Sequence, residues 1–425
     1  MATQAATLVA GHKHEEGPLG CPVFSMLPPP LQEESRNAPF LWEYLHSLSL
    51  EEIGLPDYAP RLGREHRELA RPNLVYPTDD GLYAHILPDL GDSRDFYIAI
   101  EPTNVPTLPE LMDQVDARLV DLVEALEAAE DSDQRTEVLQ KCLDEMCTIG
   151  DRKDSWLRGI FKRNGKLHVQ PKEMVGLRYL MVRDKVGLGV LEPLIQDPYI
   201  EDVSCSGLGH LFLEHRVFGG LKASIDFPTK EELDRFVVRL SEKIGRPVTY
   251  REPIIDAVLP DGSRVNIVFG DDVSRRGSNF TIRKFAEKPM SLLDLIETGS
   301  LNYEMAAYLS LVLREGMNVF ISGETASGKT TLLNAITTFI DPNAKIVSIE
   351  DTPELQVPHP NWVREVSRGG AKDAFASSVT MLDLLKAALR QRPNEIIIGE
   401  IRGEEGAVAF QAMQTGHACM ATLHA

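Results

Sequence analysis

Cysteine is scarce in this sequence. Cys21, Cys142, Cys147, Cys205 and Cys419 are spread over 425 residues without a Cys-x-x-Cys pair, which excludes a disulfide framework and a four-thiolate zinc site. Long hydrophobic runs are absent as well. No stretch approaches the roughly 18 consecutive apolar residues of a membrane-spanning helix, and residues 1–20 lack the basic start and apolar core of a secretory signal. A reduced, cytosolic setting is therefore expected. Basic charge is also in deficit: 44 Lys and Arg face 64 Asp and Glu, a net charge of -20. That balance opposes non-specific capture by nucleic acid or anionic lipid and leaves room only for a local basic groove.

What is present is ordinary for a globular chain, with 43% hydrophobic and 25% charged residues. At roughly 150 residues per domain, the length suggests two or three domains. Residues 1–100 read as a leader, partly disordered, with short β segments such as Phe96–Ile100 broken by prolines. Residues 101–167 read as a helical hairpin: Leu111, Val115, Leu119, Leu122, Val123 and Leu126 share one face, and Asp131-Ser132-Asp133 turns the chain into a second helix over 134–149. Residues 168–287 alternate short helices with β-rich runs, as in a mixed α+β domain. Residues 288–425 open with two helices and then a strand over 317–322, where an α/β domain begins.

That strand runs into Gly323, Glu324, Thr325, Ala326, Ser327, Gly328, Lys329 and Thr330, which fill Gly-x-x-x-x-Gly-Lys-Ser/Thr at every fixed position; Thr331 opens a helical run. The order has a chemical reason. Glycines let backbone N–H groups curl around phosphate oxygens, and the helix N-terminus adds its positive dipole end. Lys329 is expected to reach the β and γ phosphates of ATP and the Thr330 hydroxyl to ligate Mg²⁺.

A hydrolytic Mg-nucleotide site also needs carboxylates. Two apolar runs, 346–349 and 396–398, read as buried parallel strands ending near Glu350 and Glu400, at the edge where open α/β sheets bind ligands. His417 and His424 flank a further strand and suggest a pair that senses the phosphate.

Several of these segments are particular enough to carry a resemblance. Ile349-Glu350-Asp351-Thr352-Pro353-Glu354, Leu389-Arg390-Gln391-Arg392-Pro393, Ile398-Gly399-Glu400-Ile401-Arg402-Gly403, Thr415-Gly416-His417 and Thr422-Leu423-His424-Ala425 resemble the type II/type IV secretion ATPase superfamily, in its archaeal branch of archaellum and archaeal pilus motors. Ile200-Glu201-Asp202, residues 259–266 and Thr281-Ile282-Arg283-Lys284-Phe285 extend it, so that it covers about residues 170–425. The resemblance implies a RecA-like P-loop NTPase core as C-terminal domain after a mixed α+β N-terminal domain. It implies a cytoplasmic homo-hexamer on the inner face of the membrane, docked on a polytopic platform protein and moving pilin-like filament subunits. Glu350 then matches the general base, Glu400 the Walker B acid near Mg²⁺ (direct or through water), and His417 and His424 the nucleotide-sensing His box. Arg283, with Arg264 and Arg275 behind it, matches N-terminal-domain arginines that reach the phosphates.

Two rivals remain: a nucleic-acid motor of the conjugation type, against which the acidic composition counts, and a nucleotide-binding scaffold with little turnover. No direct nucleic-acid partner is expected. Family members continue beyond the strand that ends at His424, so the C-terminus reads as truncated and feeble hydrolysis is expected of residues 1–425 alone.

Overall fold

The computed structural model describes residues 22–49, 53–78, 81–89, 91–119, 131–150, 166–285, 289–324, 327–368, 378–414 and 416–424. The chain divides into two compact units, Met1–Lys284 and Phe285–Ala425.

The first unit is built on a ten-stranded sheet. Its strands are β1 (Asp57–Tyr58), β2 (Leu74–Pro77), β3 (Tyr83–Leu87), β4 (Phe96–Ile100), β7 (Ile200–Cys205), β8 (Gly209–His215), β9 (Gly219–Phe227), β10 (Ile254–Val258), β11 (Arg264–Val268) and β12 (Asn279–Arg283), while β5 (Cys147–Ile149) and β6 (Leu167–Val169) pair separately. The order is β1-β2-β3-β4-β9-β8-β7-β12-β11-β10. Period-two alternation fixes its faces: Val265, Ile267, Phe280 and Ile282 are fully buried, whereas Thr281 and Arg283, which alternate with the last two, are exposed. An amphipathic helix, Lys230–Lys243, adds Leu233, Val237 and Leu240 to the same core. Thr229 caps it, its hydroxyl accepting from Glu232 N at 3.3 Å.

The expected leader is in large part folded. Three short helices, α1 (Pro22–Met26), α2 (Pro29–Asn37) and α3 (Pro39–Ser47), bury Leu31, Leu41, Trp42 and Leu45 against Val75, Tyr83 and Ile100 of the sheet. Pro29 and Pro39 sit at the first position of α2 and α3, where a missing N–H costs nothing. A buried polar network fastens the added strands to the rest. Asp197 Oδ2 accepts from Tyr76 OH (2.7 Å) and Tyr97 OH (2.8 Å), and Oδ1 accepts from Tyr199 N (2.8 Å). His215 Nδ1 accepts from Val217 N and Phe218 N, which leaves the proton on Nε2, 3.1 Å from Tyr76 OH.

The expected hairpin appears as α4 (Leu108–Leu119) and α5 (Ser132–Met146), packed with α6 (Pro171–Lys185) around Leu111, Val115, Leu119, Leu139, Leu143, Leu177 and Met181. Leu122, Val123 and Leu126 lie outside the described residues. The second helix ends three residues earlier than expected, because the chain turns extended at Cys147 to form β5.

The second unit is an all-parallel five-stranded sheet in the order β13-β17-β16-β14-β15. Its strands are β13 (Val319–Gly323), β14 (Ile346–Glu350), β15 (Trp362–Val366), β16 (Glu395–Ile401) and β17 (Ala418–His424). Helices Lys329–Ile336, Met381–Ala388 and Glu405–Gln414 lie between successive strands in sequence. β14 is buried along its whole length, as parallel strands covered on both faces require. Inserting β17 between β13 and β16 gives the RecA-like arrangement, in which the phosphate-loop strand and the Glu400 strand are separated by one strand. Among the described residues, no helix is long and apolar enough to cross a membrane.

Candidate nucleotide site

β13 delivers the chain to the loop at Gly323, and the loop re-enters helix at Lys329. Gly328 stands at the helix N-cap with φ +83°, a conformation that side-chain-bearing residues rarely adopt. At Gly323 an added Cβ would meet Ser327 Oγ at 2.7 Å. Ser327 Oγ donates to Glu324 O (2.8 Å), and Lys329 Nζ donates to Gly323 O (2.9 Å) and Glu324 O (2.6 Å), so the ammonium sits over the inside of the loop. Thr330 and Thr331 occupy the first turn of the helix. Thr325 and Ala326 lie outside the described residues.

The sheet register carries the opposing acid to this loop. Gly323 is paired with His424 across β13 and β17. In β16 the register shifts between Ile398 and Ile401, a bulge that re-aims the side chains within it. Glu400 lies in that irregularity, and its Oε1 is 2.7 Å from His424 Nε2. Its other oxygen accepts from Arg402 Nε at 2.7 Å. Thr422 Oγ1 donates to Gly399 O (2.5 Å) and pins the bulge.

Glu350 ends β14 beside the same bulge. A Cβ on Gly399 would come within 3.2 Å of Glu350 Cγ, so glycine there admits the carboxylate. Only 2% of Glu350 is exposed. Its Oε2 accepts from Glu354 N (2.6 Å) and Leu355 N (2.8 Å), and Oε1 from Arg364 Nε (3.3 Å). Burial raises its pKa above the usual carboxylate range, against the lowering effect of those hydrogen bonds and of Arg364.

The two histidines are not together. His424 ends β17 at the phosphate-loop edge, whereas His417 precedes its first residue. Seven extended residues at about 3.3 Å each separate them by roughly 20 Å, so a pair at the nucleotide edge is corrected to His424 alone. The arginines belong to the first unit. Arg264, Arg283 and Asp202 stand opposite one another on β11, β12 and β7, with Arg283 Nε 4.0 Å from Asp202 Oδ1. Arg275 is exposed in the β11–β12 connection, off that row. Sequence reasoning missed Arg364, Arg402 and Gly399. Arg402 and Gly399 were visible inside the Gly-Glu-Ile-Arg motif, but Arg364 is fourteen residues from Glu350 and is brought to it only by the β14–β15 pairing.

Thr330 and Glu400 supply hard oxygen donors of the kind Mg²⁺ takes alongside substrate phosphates. Among the described residues no cluster of three or more His, Cys, Asp or Glu could hold a metal by itself.

Phosphate loop, parallel sheet and strand-end carboxylate define a P-loop NTPase domain. A family model described as "Type II/IV secretion system protein" matches residues 184–425, and the chain belongs to that family. Among similar proteins, MJ0900 of Methanocaldococcus jannaschii, described as uncharacterized, is 42% identical over 400 residues, covering 93% of this chain and 72% of that protein. The putative conjugal transfer protein Rv3659c of Mycobacterium tuberculosis is 30% identical over 251 residues, covering 57% and 70%. The solved structure of the Legionella pneumophila ATPase DotB aligns at 25% identity and TM-score 0.40, covering 54% of this chain and 63% of that one.

Proposed function

We propose that the chain is a Mg-dependent ATPase that drives assembly or secretion of type IV pilus-like or archaellum filaments. It works as a homo-hexamer on the inner face of the membrane, through a polytopic platform protein. The observation that supports this best is the strand register that sets Glu400 and His424 beside the first glycine of the phosphate loop. Residues 288–425 act as the ATPase domain and 168–287 as the N-terminal domain that carries the phosphate-directed arginines.

In this reading, loop N–H groups and Lys329 bind the β and γ phosphates, and Thr330 and Glu400 would hold Mg²⁺, directly or through water, which would supply positive charge against the phosphate oxygens. Glu350 takes the proton of the attacking water; its raised pKa moves it toward that of an effective general base. Arg283 neutralises charge that develops on the transferred group, and His424 reports the state of Glu400. Steady-state hydrolysis tests the reading: Lys329→Ala weakens nucleotide binding and turnover together. Turnover equal to the parent would overturn it.

A nucleic-acid motor is the second reading, favoured by the similarity to a putative conjugal transfer protein. Stimulation of hydrolysis by platform protein and not by DNA supports the first; stimulation by DNA alone supports the second.

A further inference from the structure

Glu350 shares its face of the second unit's sheet with three other side chains. β14 and β15 run parallel with Ile346 opposite Trp362, Ser348 opposite Arg364 and Glu350 opposite Val366, so Ser348, Glu350, Trp362 and Arg364 project to one side. Each of the two β15 side chains reaches forward to the next same-face position on β14, toward the nucleotide edge. Trp362 Nε1 donates to Ser348 Oγ at 2.9 Å, and Arg364 Nε donates to Glu350 Oε1 at 3.3 Å. The Arg364 guanidinium lies 5.4 Å from the Trp362 ring centroid. The fully buried Ser348 thus fixes the ring, and the ring face aims the cation.

The two oxygens of Glu350 are not equivalent. An ionised carboxylate offers about four acceptor positions, two on each oxygen. On Oε2 both are filled, by Glu354 N (2.6 Å) and Leu355 N (2.8 Å). The turn that supplies these N–H groups is tied back in turn, Gln356 N donating to Asn334 Oδ1 (2.9 Å) on the helix that follows the phosphate loop. On Oε1, among the described residues, Arg364 fills one position and the other is open.

We propose that the open position on Oε1 takes the proton of the attacking water, and that Arg364 is the positioning residue that aims it. This rests on the general-base reading of Glu350 given above and adds to it the reacting atom and its holder. In the step, the water O–H bond breaks and its proton goes to Oε1, the water oxygen bonds to the terminal phosphorus of ATP, and ADP leaves with the electron pair of the bridging oxygen. Arg364 acts on this step in two ways. Seated on one side of Oε1, it keeps the remaining lone pair in one direction. Its charge also opposes the protonation that burial favours. Among the described residues no other basic side chain pairs with Glu350. β16 brings Gly399 beside it, the helix offers the neutral Asn334, Asp351 accepts from Ser367 Oγ (2.6 Å), and Asp351 and Glu354 both act on Arg402.

The test is single-turnover hydrolysis of Mg-ATP by the full chain from about pH 5 to 9, beside Mg-ATP titrations, for Arg364→Ala, Arg364→Gln, Arg364→Lys and Glu350→Gln. Arg364→Ala is expected to slow hydrolysis about tenfold, the scale of one hydrogen bond to a charged group, with affinity for Mg-ATP unchanged. It should also move the acid limb of the profile up by about one pH unit, because the carboxylate has lost its cation. Arg364→Gln, neutral as well, should share that limb. Arg364→Lys should return the limb to the parent position and recover part of the rate. The Gln and Lys variants, close to arginine in length, carry the comparison if the Ala variant fails to fold. A parent rate in the neutral variants, or a lost rate with an unmoved limb, overturns the proposal, as does a Lys limb that coincides with the Gln limb. If Glu350→Gln is inactive while the Arg364 variants match the parent, Arg364 alone is refuted. If Glu350→Gln hydrolyses like the parent, or the parent does not hydrolyse at all, the reading of Glu350 falls and the proposal with it.

Discussion

His424 Nε2 lies 2.7 Å from Glu400 Oε1, and the sheet places the same histidine opposite Gly323. One side chain thus touches the strand-end acid while its backbone flanks the phosphate loop, and any shift of the loop strand moves the partner of the acid. His417 precedes the first residue of the same strand, at its other end.

The two histidines should therefore separate in function. His424→Ala is expected to lower turnover by about tenfold or more, the scale of losing one hydrogen bond to a charged group, while nucleotide affinity stays near that of the parent. His417→Ala is expected to change turnover by less than about twofold. Parallel steady-state assays and nucleotide titrations decide it, and equal losses in both variants would dissolve the distinction.

Glu350→Gln is expected to stop hydrolysis while retaining nucleotide, and also to cost stability. A glutamine cannot accept at both positions, so its amide N–H₂ faces either the N–H groups of Glu354 and Leu355 or the guanidinium of Arg364. One buried mismatch of this kind costs about 1–3 kcal/mol. Urea midpoints beside single-turnover rates would separate the chemical loss from the structural one.

Acid should weaken the first unit through two buried histidines. His85 accepts from Tyr44 OH at Nδ1 and donates from Nε2 to Asn73 Oδ1, both at 2.7 Å, and burial pushes its pKa down to about 3. His215 is pushed to about 3 as well, by burial first and then by Arg216 and Lys284. In the unfolded chain each titrates near 6.5. Between these values the unfolded state binds more protons, so stability is full above about pH 6.5 and falls as pH drops toward 3, by on the order of 4 kcal/mol per histidine. Denaturant melts from pH 7 to 4 should show this slope, and His215→Gln should flatten it.

Glu395 should act in the opposite direction. It is buried at the start of β16, its Oε1 has no hydrogen-bond partner among the described residues, and burial raises its pKa to about 8. Between about 4.5 and 8 the folded state holds a proton that the unfolded state has lost. Its contribution is complete below about pH 4.5 and disappears as pH rises through 8, a change on the order of 4 kcal/mol. Glu395→Gln should remove that dependence and leave the second unit more stable than the parent at pH 8. A Gln variant less stable at that pH would contradict the assignment.

Much of the second unit was legible in the sequence because its information is local. Gly323, Gly328, Lys329 and the apolar runs before Glu350 and Glu400 each state their conformation within a few residues. The helices over 22–47 were not legible for the converse reason. Leu31, Leu41 and Leu45 find their partners in Val75, Tyr83 and Ile100, and nothing inside 22–48 points to a sheet that begins later in the chain. Arg364 was illegible on the same ground, since strand pairing positions it. The misplacement of His417 came from treating the two ends of a strand as one place.

The seam between β4 and β9 is two residue pairs long, Phe96 with Lys222 and Tyr97 with Ala223. Asp197, gripping the hydroxyls of Tyr76 and Tyr97, and Lys222, gripping Asp89 and Asp92, rivet it on both sides. Ten strands spaced about 4.8 Å apart make a plate about 43 Å wide, with arginines toward one margin and the N-terminal helices toward the other. The two-pair seam is thus the shortest stretch of ladder between β2 and β10, and side chains on either side of it replace the backbone hydrogen bonds that it lacks.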